Sequence, residues 1–397
     1  MISQYFPPDM GGGATRAYNV VKGLLMNGCD VKVIAAFPHY PDGDVPEGYR
    51  WKALKTEKVE GMDVTRTFVP PLASRGIARR LILFMSFMVS ALFALFMVDG
   101  FDVVWAANPN VLSMFPAMVY GGLRRRPIAM NVDDLWTGSI YGRREKSLLM
   151  RTIDLLSRFV YSRADMITPI SPGYVDVIHD SLHVGLEKIQ VVRGGVDLET
   201  FGGKDHSFGH RDNFRVLYIG AFSMAYDFNQ VLMAAKTLER VGGVEFVLQG
   251  SGELVGYVEK RAESLRLSNV KIVNKVVSRD EVAKTLHEAD ALILPLKQFS
   301  GPYRGISTKL YEYQAAARPI ICCSEGASEQ YVLDTNSGVA VKPGDYEGLT
   351  EQILYLKDNP DIAEELGRNG KKHVEANLSI EKIGYQMKKA FDLMSNN

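Results

Sequence analysis

The sequence has little of what holds small secreted or metal-bound folds together. Only 3 cysteines occur in 397 residues: Cys29, Cys322 and Cys323. The last two are neighbours, and neighbours on a strand point to opposite faces. Neither a disulfide nor a zinc site is therefore expected, and reduced thiols in the cytoplasm are the natural reading. Charge of one sign is not in excess either. Lys plus Arg and Asp plus Glu both total 46, which gives no electrostatic footprint for nucleic acid as a partner. No cleavable signal peptide is expected at the start, and no low-complexity tract or short tandem repeat interrupts the chain.

Long hydrophobic runs are also scarce. The exception is Leu81–Val98, apolar apart from Ser86 and Ser90 and preceded by Arg75, Arg79 and Arg80. A membrane span needs about 20 such residues, so the run falls at the margin. It reads as a buried core helix, apolar on nearly every side. A helix with one face on a membrane and a true span stand as the alternatives.

What is present is an alternation. Strand-like runs (Ile2–Phe6, Asp30–Ala36, Val64–Val69, Phe101–Trp105, Pro127–Val132) are separated by helical patterns. After a turn-rich stretch at 194–213 the same alternation begins again at Val216. This predicts an α/β fold of two Rossmann-like domains with parallel sheets, at residues 1–200 and 214–379, followed by a helix over about 380–397. Ligands of such sheets sit at the carboxyl ends of the strands.

The stretch at 297–319, KQFSGPYRGISTKLYEYQAAARP, lies between two apolar strands. A glycine-containing cationic loop there leads into a helix expected from near Ser307. The first amides of a helix are unpaired and its dipole favours anions, which suits phosphate at Gly305, Ser307, Thr308 and Lys309. Glu312, one turn inside among apolar neighbours, is costly to bury unpaired and is placed to accept hydrogen bonds from a ribose diol. The plain alternative is a solvated cationic loop over a core helix. Gly250-Ser251-Gly252 closes the strand before a helix and reads as a nucleotide wall or an ordinary turn. Gly11-Gly12-Gly13, ahead of a helix carrying Arg16, lets a ligand approach the backbone or makes a tight turn. Its spacing is not G-x-G-x-x-G and no acidic residue ends the second strand, which argues against a dinucleotide. Asp133 and Asp134 end a strand, where they can orient a sugar hydroxyl, ligate magnesium or manganese, or cap a turn. His39 lies in a proline-rich loop and is either surface or acceptor-facing.

Taken together, KLYEYQAAARPIICCSEG, ISQYFPPDMGGGATRA, FPHYPDGDVPEGYR, NVDDLW, ITPISPGY and VVRGGVDLETF resemble GT-B glycosyltransferases of family 4 over nearly the whole chain. The resemblance is strongest to the branch acting on cell-surface polysaccharides, such as fucosamine-type transferases. It implies an N-terminal acceptor domain and a C-terminal domain for a nucleotide-diphosphate sugar, UDP rather than GDP. It also implies transfer of a hexosyl or N-acetylhexosaminyl group with retention, without metal or cofactor, and a last helix packed back on the first domain. Glu312 matches the second glutamate of the Glu-x7-Glu motif. Ser307, Thr308 and Lys309 fall where amides meet the diphosphate, Gly11–Gly13 at the loop facing phosphates and acceptor, and Asp134 at an aspartate that positions the acceptor or the sugar. The apolar helix and its arginines suggest a lipid-linked acceptor and a peripheral place at the inner face of the cell membrane.

Two departures stand out. Arg304 occupies the position of the motif's first glutamate, and Ala221 and Tyr226 stand near where many members carry Arg and Lys. Leaving-group charge must be stabilised by something, and Arg304, Lys309 and Arg193 are the available cations. A non-catalytic binding paralogue and a nucleotide-sugar epimerase are the rival readings.

Overall fold

The computed structural model describes residues 1–9, 11–40, 43–72, 77–108, 111–135, 148–203, 213–298 and 305–395. It divides the chain into two compact units, Met1–Gly195 with Ile380–Asn397, and Val196–Ser379.

Unit 1 begins with β1 (Ile2–Ser3), α1 (Gly12–Met26) and β2 (Lys32–Ala36). A hairpin of β3 (Leu54–Val59) and β4 (Met62–Thr67) follows, then α2 (Ile77–Phe93), β5 (Val104–Asn108) and α3 (Met114–Arg124). β6 (Ile128–Val132), α4 (Leu148–Ser162) and β7 (Met166–Pro169) complete its sheet. The strand order is β3-β4-β2-β1-β5-β6-β7, parallel except for β3. β1 and β5, whose flanking strands run off in opposite directions, form the switch point where such sheets leave a crevice.

Unit 2 holds α5 (Leu198–Phe201), β8 (Phe214–Ile219), α6 (Phe228–Val241), β9 (Val244–Gly250) and α7 (Val255–Ser264). It continues through β10 (Val270–Asn274), α8 (Arg279–His287), β11 (Ala291–Pro295), α9 (Lys309–Ala315) and β12 (Ile320–Cys323). α10 (Ala327–Asp334), β13 (Gly338–Val341), α11 (Tyr346–Asp358) and α12 (Pro360–Asn377) finish it. Its six strands, in the order β10-β9-β8-β11-β12-β13, are all parallel. Sheets of this kind are covered on both faces, which explains the unbroken burial of Ala291–Pro295 and Ile320–Cys323. Cys322 and Cys323 are free and buried, and Cys29 is free.

The chain then returns to unit 1 as α13 (Ile380–Ser395), laid along α1. The crossing is set by two glycines. A Cβ on Gly384 would lie 2.0 Å from the carbonyl carbon of Gly23, so the helices touch backbone to backbone.

Three local expectations are corrected. β1 stops at Ser3, and the helix starts at Gly12, so Gly12 and Gly13 form its first turn instead of a loop. Gly11, at φ +142°, makes the bend that permits this. β3 shows no strand signal in the sequence because half of Leu54–Val59 is charged, an edge strand with little apolar alternation. The apolar helix is not buried all round. Leu83, Phe87, Ala91 and Ala94 pack into the unit 1 core, while Ile82, Met85, Val89 and Phe93 are exposed. Among the described residues no helix is long and apolar enough to cross a membrane.

Candidate functional site

In unit 2 the site is built at the carboxyl ends of β8, β9 and β11. Gly220 follows the end of β8 and Gly250 is the last residue of β9, with φ of +147° and +144°. A Cβ on Gly250 would fall 1.8 Å from the Gly220 oxygen, and one on Gly252 2.6 Å from the Phe222 oxygen. The two loops therefore lie backbone on backbone, tied by Gly220 N–H to Gln249 O and Phe222 N–H to Ser251 O, both 2.9 Å. Only glycine fits that approach.

α9 approaches the end of β8. Its Leu310, Tyr311, Tyr313, Gln314 and Ala315 are buried. Gln314 donates to Thr335 and Ser337 and accepts from Tyr331, anchoring the helix from behind. That leaves Lys309 and Glu312, three residues apart on one helical face, partly exposed. The Lys309 ammonium reaches the backbone of Gly220, where a Cβ would lie 2.0 Å from Nζ. It also stands 5.7 Å above the Tyr218 ring and 6.0 Å above that of Tyr226. A cation held over two aromatic faces is ordered without being neutralised.

Glu312 is half-buried and meets a partner that the linear sequence did not suggest. Arg279, in the first turn of α8, places Nη2 3.5 Å from Oε1 of Glu312 and its guanidinium 4.9 Å above Phe201. The Ser278 hydroxyl caps α8 by accepting from Glu281 N–H at 3.3 Å. Burial raises the Glu312 carboxyl above its ordinary range, and Arg279 and then Lys309 oppose the rise.

Ser307 departs from its expected part. Its N–H donates to Ser328 Oγ at 3.2 Å, and that hydroxyl donates to Gly305 O at 3.0 Å. The amide is already taken because Ser328, in the first turn of α10, is buried behind the loop. The helix opens at Lys309, two residues beyond Ser307, and Thr308 and Lys309 carry its leading amides. Arg304 lies outside the described residues.

In unit 1 a second cluster gathers behind β1, β2 and β6. Asp9 Oδ1 accepts from the N–H groups of His39 at 2.8 Å and Tyr40 at 3.0 Å. His39 is buried, and its Nδ1 donates to Phe37 O at 2.8 Å, a carbonyl being able only to accept. The ring stacks on Tyr5 at 5.5 Å, and Nε2 has no hydrogen-bond partner among the described residues. Tyr40 also packs against Gly11, where a Cβ would lie 3.2 Å from its ring.

Arg16 is buried inside this unit. Its Nη2 donates to Asn131 Oδ1 at 2.9 Å and to Val192 O at 2.5 Å, and its Nε lies 2.9 Å from Asp133 Oδ1. It joins α1, β6 and the end of the unit. Asp133 also accepts from Asn131 at 2.7 Å, and burial pushes its carboxyl up to about 6. Asp134 is exposed, with Oδ1 accepting Leu135 N–H at 3.0 Å. The two adjacent aspartates thus have different work: one is locked to a buried cation, the other is exposed. Among the described residues no three His, Cys, Asp or Glu side chains are grouped to hold a metal ion.

Comparison with known proteins places these two units. Residues 10–200 match the model of Glycosyltransferase Family 4, and residues 205–373 match that of Glycosyl transferases group 1. An uncharacterized glycosyltransferase of Methanocaldococcus jannaschii, MJ1178, is 26% identical over 240 residues, 60% of this chain and 62% of that protein. The match thus spans less than two thirds of that relative. Sucrose-phosphate synthase from Thermosynechococcus elongatus superposes with a TM-score of 0.78 at 17% identity, covering 100% of this chain and 99% of that one. HepE of Anabaena, solved with UDP, superposes at 0.70 and 13% identity, covering 98% of each. The chain belongs to the GT-B glycosyltransferases of group 1 and family 4.

As a GT-B chain it keeps the two-sheet frame. Ala221 and Tyr226 bring no cation to the end of β8, and Lys309 reaches that end from α9. Arg279 is the residue that sequence reasoning missed. It lies 33 positions before Glu312, and no local spacing links them. The available signal was an arginine directly after a Ser cap, in the first turn of a helix where a cation is unfavourable for the dipole.

Proposed function

We propose that this chain is a retaining glycosyltransferase. It moves a hexosyl or N-acetylhexosaminyl group from a UDP-sugar to a hydroxyl of a lipid-linked or cell-surface glycan, with no metal. The observation that carries the reading is the pairing of Lys309 and Glu312 on the partly exposed face of α9, beside the glycine-lined ends of β8 and β9. A carboxylate and an ammonium three residues apart match the two ends of a nucleoside diphosphate. Glu312 accepts from the ribose diol, and Lys309 meets the diphosphate, assisted by the amides of Thr308 and Lys309 and by Arg304. Gly250, Ser251 and Gly252 form the wall against which the nucleoside lies, and Gly305 shapes the loop behind.

Transfer then needs charge stabilisation on the leaving diphosphate, which Lys309 supplies in a site where an ordered cation acts without reorganising. The acceptor hydroxyl attacks from the face the leaving group departs, and a departing phosphate oxygen takes its proton. Unit 1 supplies the acceptor side: the Gly11–Gly13 turn, His39 and Asp134 meet the acceptor, while Arg16 and Asp133 hold the end of β6 in place. The enzyme works in the cytoplasm, peripheral at the inner face of the cell membrane. The UDP bound to HepE supports the choice of uridine.

A screen of nucleotide sugars by thermal stabilisation identifies the donor, since a ligand bound only by the folded state raises apparent stability. Glu312→Ala is expected to abolish the stabilisation by UDP. Unchanged calorimetric affinity for UDP in that variant sinks the donor assignment. Binding of a UDP-sugar that stays intact in the presence of every lipid or glycan acceptor tried sinks the transferase reading and leaves a binding paralogue.

A further inference from the structure

The face of α2 turned away from the core is an apolar surface that the donor and acceptor clusters leave unused. Helical spacing puts Met85, Val89 and Phe93 in one line, and the turn after α2 adds Phe96. Phe93 is 63% exposed and Phe96 84%. Trp51, fully exposed, and Phe68 face this line across an apolar groove of about 1110 Å³. Its polar edges are closed internally. Ser90 Oγ donates to the carbonyls of Phe68 and Phe87, so the groove offers few hydrogen bonds to a polar guest. An exposed contiguous apolar surface of this kind marks an interaction site.

Charge identifies the occupant. No Asp or Glu occurs from Ile77 to Val98. Lys52 lines the groove, and Arg79 and Arg80 are exposed on the first turn of α2. A second copy of this chain would set these like charges against one another across a two-fold contact, which is unfavourable. A bilayer with anionic headgroups offers the complement, with negative charge at the level of the basic side chains and hydrocarbon beyond it. Aromatic side chains settle at that boundary.

We infer that the exposed face of α2, with Trp51 and Phe68, seats unit 1 on an anionic bilayer, the helix lying in the interface plane and acyl chains entering the groove. The inference deepens the proposed function and rests on it for its purpose, which is to bring unit 1 to a lipid-borne acceptor.

The test is co-sedimentation of the full chain with vesicles of phosphatidylcholine and phosphatidylglycerol, and with phosphatidylcholine alone. Each basic side chain near an anionic surface is worth about fivefold in binding, so the mixed vesicles are expected to bind on the order of 100-fold more tightly. F93S with F96S, both at exposed positions, is expected to lower that binding at least tenfold while leaving UDP affinity unchanged. Trp51 emission is expected to shift to the blue on vesicles, with the shift lost in W51F. Absence of vesicle binding, equal binding by the double variant, or a dimer in ultracentrifugation that F93S dissolves each overturns the inference. Vesicle binding without any nucleotide affinity counts against the transferase reading alone, and sugar transfer without vesicle binding counts against this inference alone.

Discussion

Arg279 and Glu312 face each other across unit 2, with Nη2 of one 3.5 Å from Oε1 of the other and the guanidinium resting on Phe201. Arg279 therefore acts on the ligand through the carboxylate that is proposed to hold it. Burial raises the Glu312 carboxyl and Arg279 pulls it back. Removing the guanidinium lets the raised value climb further, so the acceptor form of Glu312 is lost at a higher pH. Arg279→Ala is expected to bind UDP nearly as wild type does at about pH 8 and to weaken more steeply as pH falls toward about 5. Calorimetric titrations at several pH values, on both proteins, read this directly. Parallel pH profiles count against the role.

Glu312→Gln retains the size of the side chain and removes the charge. Two hydrogen bonds from a ribose diol to a carboxylate are worth about 2–3 kcal/mol over those to an amide, a loss of roughly 30- to 150-fold in UDP affinity. Free phosphate binding is expected to stay as it was.

Lys309→Met separates the two ends of the ligand. Affinity for UDP is expected to fall by at least about tenfold through loss of a charge-assisted contact, while affinity for uridine stays unchanged. Equal losses for both would mean that the side chain organises α9 instead of meeting phosphate.

Gly250→Ala places a Cβ 1.8 Å from the Gly220 oxygen at a φ of +144°. The loop pair must open, at a cost of about 2–4 kcal/mol in the stability of unit 2. Gly256→Ala, in α7 with nothing within 4 Å of the added carbon, is the control. It is expected to stabilise by about 0.5–1 kcal/mol. Urea denaturation followed by probes in each unit separates the two outcomes, since a chain of two units need not unfold in one step.

Asp133 predicts an unusual slope. Its carboxyl is raised to about 6 in the fold, against an ordinary value of 3.8. Between those values the folded chain binds the proton and the unfolded chain does not. Stability from this group is therefore present at the acid end and lost as pH rises through about 6, on the order of 3 kcal/mol in all. Asp133→Asn removes the slope, so the stability difference between wild type and variant should shrink across the window. A flat difference would show that Arg16 holds the carboxylate ionised throughout.

The legible and the hidden parts of the molecule divide along physical lines. The parallel sheets were readable because strands buried on both faces are unbroken apolar runs, as at Ala291–Pro295. Glu312 was readable because a lone carboxylate in an apolar helix demands a reason. The exposed face of α2 was not, since beyond Arg80 only two serines stand among its apolar residues and no polar side reveals its orientation. The destination of Lys309 was hidden too. Sequence places it on α9, while the backbone of Gly220 that it reaches belongs to a strand end almost ninety residues earlier. Ser307 misled for a related reason: its amide is taken by Ser328, a contact set by how α10 packs and invisible in the loop itself.

The close contact of Gly23 with Gly384 has a consequence for synthesis. The helix that covers α1 is made after every residue of unit 2, so a nascent chain can complete its second unit while the first still lacks a wall. The first unit to emerge from the ribosome is the last to be finished.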